Sequence, residues 1–143
     1  SERYMATLTT GYSVTLELHR KALSDTLHRV NKKLFGNPYS RHGRVCLGTY
    51  TVQETTIDLG IHSHVLIGVP DEGRSVKAIK FEGRLEDLLI GTWTSMCPGA
   101  RPSGQDVREI TYFHGAANYI HKDVFNLSTF DNVDVMNTSV AKI

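Results

Sequence analysis

The sequence predicts an α+β domain in which a mostly antiparallel sheet carries helices against it. Three observations lead there. Four stretches are short and β-branched or alternating, in the manner of half-buried strands. Other segments have apolar residues recurring at helical spacing. Gly, Pro and Asn clusters, rather than long polar linkers, mark the boundaries. The 143 residues suit one domain with a single core, residues 1–143.

The first strand is predicted over residues 4–12, which are rich in Thr and apolar side chains. A helix follows over 16–35: Leu16, Leu23, Leu27, Val30 and Leu34 keep close to helical spacing, with charges between them. Gly36-Asn37-Pro38 stops it. Residues 44–53 form a second strand, 55–60 a turn, and 61–69 a third strand ended by Pro70-Asp71-Glu72-Gly73. A second helix is predicted over 83–96, with Leu85, Leu88, Leu89, Trp93 and Met96 on one face, against the lower propensity of Gly91. Residues 97–105 carry two prolines and two glycines and read as a loop. Residues 107–113 read as a fourth strand and 116–123 as a short helix. Residues 124–143 are polar and uneven, a terminal strand or the start of a linker.

Bulk properties exclude some classes. No run approaches the roughly 18 apolar residues of a membrane span, and no leader pattern opens the chain. The two cysteines, Cys46 and Cys97, fit neither a disulfide framework nor a zinc knuckle, so a reducing cytoplasm is expected. Net charge is only +1, which argues against strong non-specific binding of nucleic acid. Local basic clusters lie at Arg41 and Arg44, at Arg74, Lys77, Lys80 and Arg84, and around Arg101 and Arg108. Such clusters are more often solvated surface than binding patches.

The third strand carries the first candidate chemistry. It reads Ile61-His62-Ser63-His64-Val65, and residues two apart on a strand share a face. His62 and His64 therefore present two imidazoles side by side, as a divalent metal requires. An isolated pair of this kind also occurs on solvent faces and as packed core histidines. Glu54 ends the second strand, and a hairpin turn would bring it beside the pair. Two neutral imidazoles and one carboxylate suit Mg²⁺, Mn²⁺ or Zn²⁺ with coordination positions left for substrate. Farther on, a helix over 116–123 puts Lys122 and Asp123 on one face with Tyr119. A phenol is a weak nucleophile at neutral pH, and a nearby lysine favours phenolate or steadies a developing phosphate charge. Taken alone, a structural tyrosine beside a surface Lys-Asp pair is the better reading.

Together these residues resemble the HUH endonucleases, specifically the rolling-circle replication initiators. Ala6-Thr7-Leu8-Thr9-Thr10 is similar to their first motif. Glu54, eight residues before His62-Ser63-His64, is similar to their metal motif with its upstream acidic ligand. Residues 115–123, with Tyr119 followed by Lys122, are similar to their nucleophile motif. The likeness covers residues 4–124, in the family's motif order. Ser63 departs from it, since a bulky apolar residue is usual there; this side chain should point away from the metal. Only one tyrosine fits the third motif, and no helicase motif follows.

The resemblance implies an RRM/ferredoxin-like nuclease fold and a sequence-specific nickase of single-stranded or origin DNA. Glu54, His62 and His64 would hold Mg²⁺ or Mn²⁺, with Asp123 a further candidate ligand. Tyr119 would be the nucleophile, assisted by Lys122, with a 5′-phosphotyrosine link as intermediate. Arg41, Arg44, Arg74 and Lys77 are candidate DNA contacts. Helicase or other replication proteins would be partners, no membrane would be involved, and a host nucleus would be the setting if the source were a eukaryotic virus. Single-tyrosine transposases of small insertion sequences share most of these features. A non-catalytic nucleic-acid-binding module lacks a need for metal, and a small zinc hydrolase lacks a need for Tyr119.

Overall fold

The computed structural model describes residues 2–10, 14–43, 45–56, 60–70, 82–110 and 133–139. Strand β1 (Arg3–Thr9) leads to helix α1 (Leu16–Phe35) and the one-turn helix α2 (Asn37–Ser40). Strands β2 (Gly48–Thr56) and β3 (Gly60–Gly68) follow, then helix α3 (Leu85–Met96) and strand β4 (Asp106–Glu109). The sheet order is β2-β3-β1-β4 and every pairing is antiparallel. This is the split βαβ arrangement of ferredoxin-like domains, as the sequence led us to expect.

Alternation in β1 decides which face is which. Tyr4, Ala6 and Leu8 are buried, while Met5, Thr7 and Thr9 are only partly so. The buried set joins Val65 and Ile67 of β3, and Leu23, Leu27, Val30, Leu34, Leu85, Leu89 and Trp93 of the two helices, in one core. Both long helices thus cover the same face of the sheet, called here the back. Met5, Val52 and Leu66 belong to the other face, the front.

Helix α1 begins where Thr15 Oγ1 accepts from the Leu18 N–H at 3.2 Å, which satisfies one of the free amides of the first turn. It ends at Gly36, whose φ of 65° is a backbone conformation that glycine adopts without strain. Leu16 was expected on the buried face but is 41% exposed. The buried stripe instead runs His19, Ala22, Leu23, Thr26, Leu27, Val30, because polar residues take core positions in the first half of the helix. On α3, Leu85, Leu89 and Trp93 are buried as expected, and Leu88 and Met96 are half-buried.

Strand β2 runs to Thr56, so residues 55 and 56 extend the strand instead of opening the turn. The extension places Glu54 within the ladder, directly opposite His62. Of the last twenty residues, the described part packs on the outer edge of β2. It makes isolated bridges from Val133 to Val52 and from Ser139 to Thr49, with a 3-10 turn over Val135–Asn137 between them. That short segment covers the hydrogen-bonding edge a terminal strand would otherwise leave open.

Candidate metal centre

Register builds the site. Glu54 pairs with His62, Val52 with His64, Thr7 with His64 and Thr9 with His62. Glu54, both histidines and both threonines consequently share the front face. The Nε2 atoms of His62 and His64 lie 3.1 and 3.4 Å from one oxygen of Glu54, Oε2. The two rings stand nearly perpendicular, 82° between planes and 5.1 Å between centroids. One ligand atom from each of the three residues falls within a 4.8 Å cluster, the only such group of three found among the described residues.

The arrangement could hold a cation. Each neutral imidazole carries one N–H and one lone pair. In the tautomer that frees Nε2 of His64, its Nδ1–H faces Thr7 Oγ1 at 3.4 Å. The Nε2 lone pair then points at a carboxylate oxygen, an arrangement that needs a proton or a metal ion in between. Nδ1 of His62 is buried with no hydrogen-bond partner. His62 is the deep ligand at 5% side-chain exposure, and Glu54 the open one at 28%. Two nitrogens and one carboxylate, closed on the sheet side and open outward, fit a catalytic rather than a sealed structural metal site.

Behind the same strands lies a second polar cluster. Ser63 points to the back, away from the imidazoles, as its place between them requires. Its Oγ is 2.5 Å from Nε2 of His19 and accepts from Gln53 Nε2 at 3.0 Å. Gln53 Nε2 also donates to Asp134 at 2.8 Å, and its Oε1 accepts from Arg20 at 2.9 Å. Asn137 Nδ2 donates to Asp134 at 2.6 Å. His19, Ser63, Gln53, Asp134 and Asn137 are all buried. Burial pushes the His19 imidazole down from 6.5 to about 4, with Asp134 opposing the shift, so this histidine is neutral. A bulky side chain at Ser63 would collide with His19 and Gln53.

Of the expected site residues, Glu54, His62 and His64 converge. Arg41 is exposed in the turn after α2. Tyr119, Lys122, Asp123, Arg44, Arg74 and Lys77 lie outside the described residues. Sequence reasoning placed Thr7 only in the first motif, without a role at the metal site, and gave no role to the His19–Ser63–Gln53–Asp134 cluster. Thr7 could have been found from its strand parity; the cluster joins residues too far apart in sequence for any motif to show. Among the described residues no helix is long and apolar enough to cross a membrane. Comparison with family models, curated proteins and solved structures returns no match for this chain.

Proposed function

We propose that this protein is a metal-dependent single-stranded DNA endonuclease of the HUH type, which nicks through Tyr119 to initiate rolling-circle replication. The observation that carries the proposal is the convergence of Glu54 with His62 and His64 on the face of the sheet opposite both long helices. A bound Mg²⁺ or Mn²⁺ would supply Lewis-acid polarisation of a scissile phosphate there.

The chain's own groups supply the rest. Glu54 and the two imidazoles hold the ligand set, with Thr7 behind His64. The Tyr119 phenolate attacks phosphorus, forming a P–O(Tyr) bond as the P–O3′ bond breaks, and the departing oxygen takes a proton to become a 3′-OH. A later 3′-OH reverses the exchange and regenerates the phenol, so rejoining needs no other energy source. Lys122 steadies phenolate or phosphate charge.

Two observations support a nucleophile from residues 111–132, where Tyr119 alone fits the nucleophile motif, over Tyr4, Tyr39 and Tyr50. Burial raises the phenols of Tyr39 and Tyr50 above their ordinary value, and burial with the Glu2 carboxylate raises that of Tyr4, making all three poorer nucleophiles. The chain on either side of residues 111–132 is also anchored beside the metal face. Ile110 and Val133 both pack on Val52 and Leu66, and Val52 is the cross-strand neighbour of His64. A tether of nine residues, with a reach of at most about 30 Å, joins Ile110 to Tyr119.

The test is a denaturing gel of the protein incubated with labelled single-stranded oligonucleotides and Mn²⁺. A covalent adduct is expected from the wild type and none from Tyr119→Phe. An adduct that persists in the Phe variant identifies another tyrosine as nucleophile. Nicking without adduct makes the protein a metal hydrolase in which water attacks.

A further inference from the structure

The helix layer carries a second feature that the metal chemistry does not use. Between α1 and α3 runs an open trough of about 820 Å³, separated from the metal centre by the sheet. One wall presents Arg29, Lys32 and Lys33, and the other Leu88, Gly91 and Ser95. The three cations are exposed, and no acidic side chain among the described residues lines the trough. None of the three forms an ion pair among the described residues.

The fold does not ask for this arrangement. Earlier on the same helix, Lys21 pairs with Asp25 one turn away at 3.0 Å. Arg29 and Lys33 have the same i,i+4 spacing but like charge, which destabilises a helix. The helix dipole offsets this for Lys32 and Lys33 in the last turn, and less for Arg29, a turn farther in. On the facing wall, Gly91 sits mid-helix, where glycine is costly. Its φ lies in the ordinary range, and a Cβ built on it would meet nothing within 4 Å. Packing therefore does not require the glycine; its effect is to keep the trough open beside the cations.

We propose that this trough is a second nucleic-acid surface, which holds a sugar-phosphate backbone against Arg29, Lys32 and Lys33. Guanidinium and ammonium groups suit phosphate oxygens. Among the described residues the only ring in the lining is the His28 imidazole, and no Trp, Tyr or Phe is there to anchor a protein partner. The choice of nucleic acid over another polyanion rests on the function proposed above; the groove and its charge do not. A backbone held here would be gripped by the face of the domain remote from cleavage, so that one molecule engages two stretches of its substrate.

The experiment uses fluorescein-labelled single-stranded and double-stranded oligonucleotides, titrated with the 143-residue protein in EDTA across a salt series. Without metal the nicking reaction is silent, so the result does not depend on it. Arg29→Glu/Lys33→Glu should weaken binding about 10-fold or more and lower the salt-dependence slope by roughly two units. Its Mn²⁺ affinity should equal the wild type's. Gly91→Leu, a better helix former that fills the trough, should raise or preserve the melting temperature while weakening binding several-fold. Wild-type affinity and slope in the double variant would overturn the proposal. Competition by polyglutamate as effective as that by oligonucleotide, at equal charge, would overturn the nucleic-acid assignment. Loss of binding in the variant combined with no wild-type adduct in Mn²⁺ would uphold the trough and reject the nickase.

Discussion

The two faces of the β2–β3 hairpin hold the same chemical ingredients and treat them oppositely. In front, His62 and His64 meet the carboxylate of Glu54; behind, His19 and Ser63 connect through Gln53 to the carboxylate of Asp134. The carboxylate in front is 28% exposed and faces two nitrogens that compete for one oxygen. The one behind is 1% exposed and accepts from Gln53 and Asn137, with Arg20 4.0 Å away. A closed cluster whose carboxylate is met by donors specifies packing, although Nδ1 of His19 there, like Nδ1 of His62 in front, is buried without a partner. An open cluster of two imidazoles and a carboxylate could hold a metal ion. The difference singles out His62 and His64, rather than His19, as the histidines that could hold a metal ion with a carboxylate.

The largest expected effect comes from removing a front ligand. Glu54→Ala or His62→Ala should reduce Mn²⁺ affinity by more than about 100-fold, beyond the range typical of outer-shell partners. Calorimetric titration measures it directly. For the wild type, metal at about 100 times its dissociation constant should stabilise the fold by about 2.7 kcal/mol, and the variants should lose that gain. Because imidazole must be neutral to ligate, binding should weaken as the solution is acidified. Wild-type affinity in Glu54→Ala would remove the metal centre.

A back-face substitution should do the reverse. Asp134→Ala leaves buried donors on Gln53 and Asn137 unpaired, at a cost of about 1–3 kcal/mol of stability. Denaturant melts would measure it, with Mn²⁺ affinity per folded molecule nearly unchanged. A large loss of affinity without loss of stability would mean that the two faces are coupled through the strands, and the contrast between them would fail.

His19 gives the contrast a pH signature. Its folded value, about 4, lies below the ordinary 6.5 because burial disfavours the cation. Below pH 6.5 the unfolded chain binds a proton that the folded one refuses. The stability contribution is thus complete above about 6.5 and is lost as pH falls toward 4, at up to about 1.4 kcal/mol per unit. His19→Gln should flatten the stability slope over that window in metal-free buffer. An unchanged slope would assign the acid sensitivity to another group.

The same contrast explains what was legible. The His62/His64 pair was readable because strand parity is a local rule, and Glu54 because a hairpin is nearly local. The order of strands and helices, and with it the mostly antiparallel sheet, came from periodicity; the ferredoxin-like topology was what the family resemblance implied. Yet periodicity marks only apolar residues. It put Leu16 on the buried face and passed over His19, Thr26 and Asn31, which are buried polar residues at the same spacing. His19 meets Ser63, 44 positions on, and Asn31 accepts from the Leu47 N–H; the carboxylate that closes the cluster through Gln53, Asp134, comes from 133–139, where the composition resembles a tail. Turn-like residues misled at Thr55 and Thr56, because pairing with Gly60 and Ile61 carries the ladder past Glu54. Gly60, at a φ of 66°, allows the chain to enter β3 at that point.

The smallest predicted effect lies where the front site touches its support. Thr7 is the cross-strand neighbour of His64, and its Oγ1 lies 3.4 Å from Nδ1. A hydroxyl accepting from Nδ1–H selects the tautomer whose Nε2 lone pair points into the cluster and makes that nitrogen a better ligand. Thr7→Val keeps the branched shape and strand preference but removes the hydroxyl. The hydrogen bond is long, so Mn²⁺ affinity should fall by about 10-fold, the lower end for an outer-shell partner. Stability should change by less than about 1 kcal/mol, since the site is partly open. Thr7→Ser should restore the affinity, because it returns the oxygen. A Val variant that binds Mn²⁺ as well as the wild type would mean that strand pairing alone orients His64, and Thr7 would then be only part of the sheet.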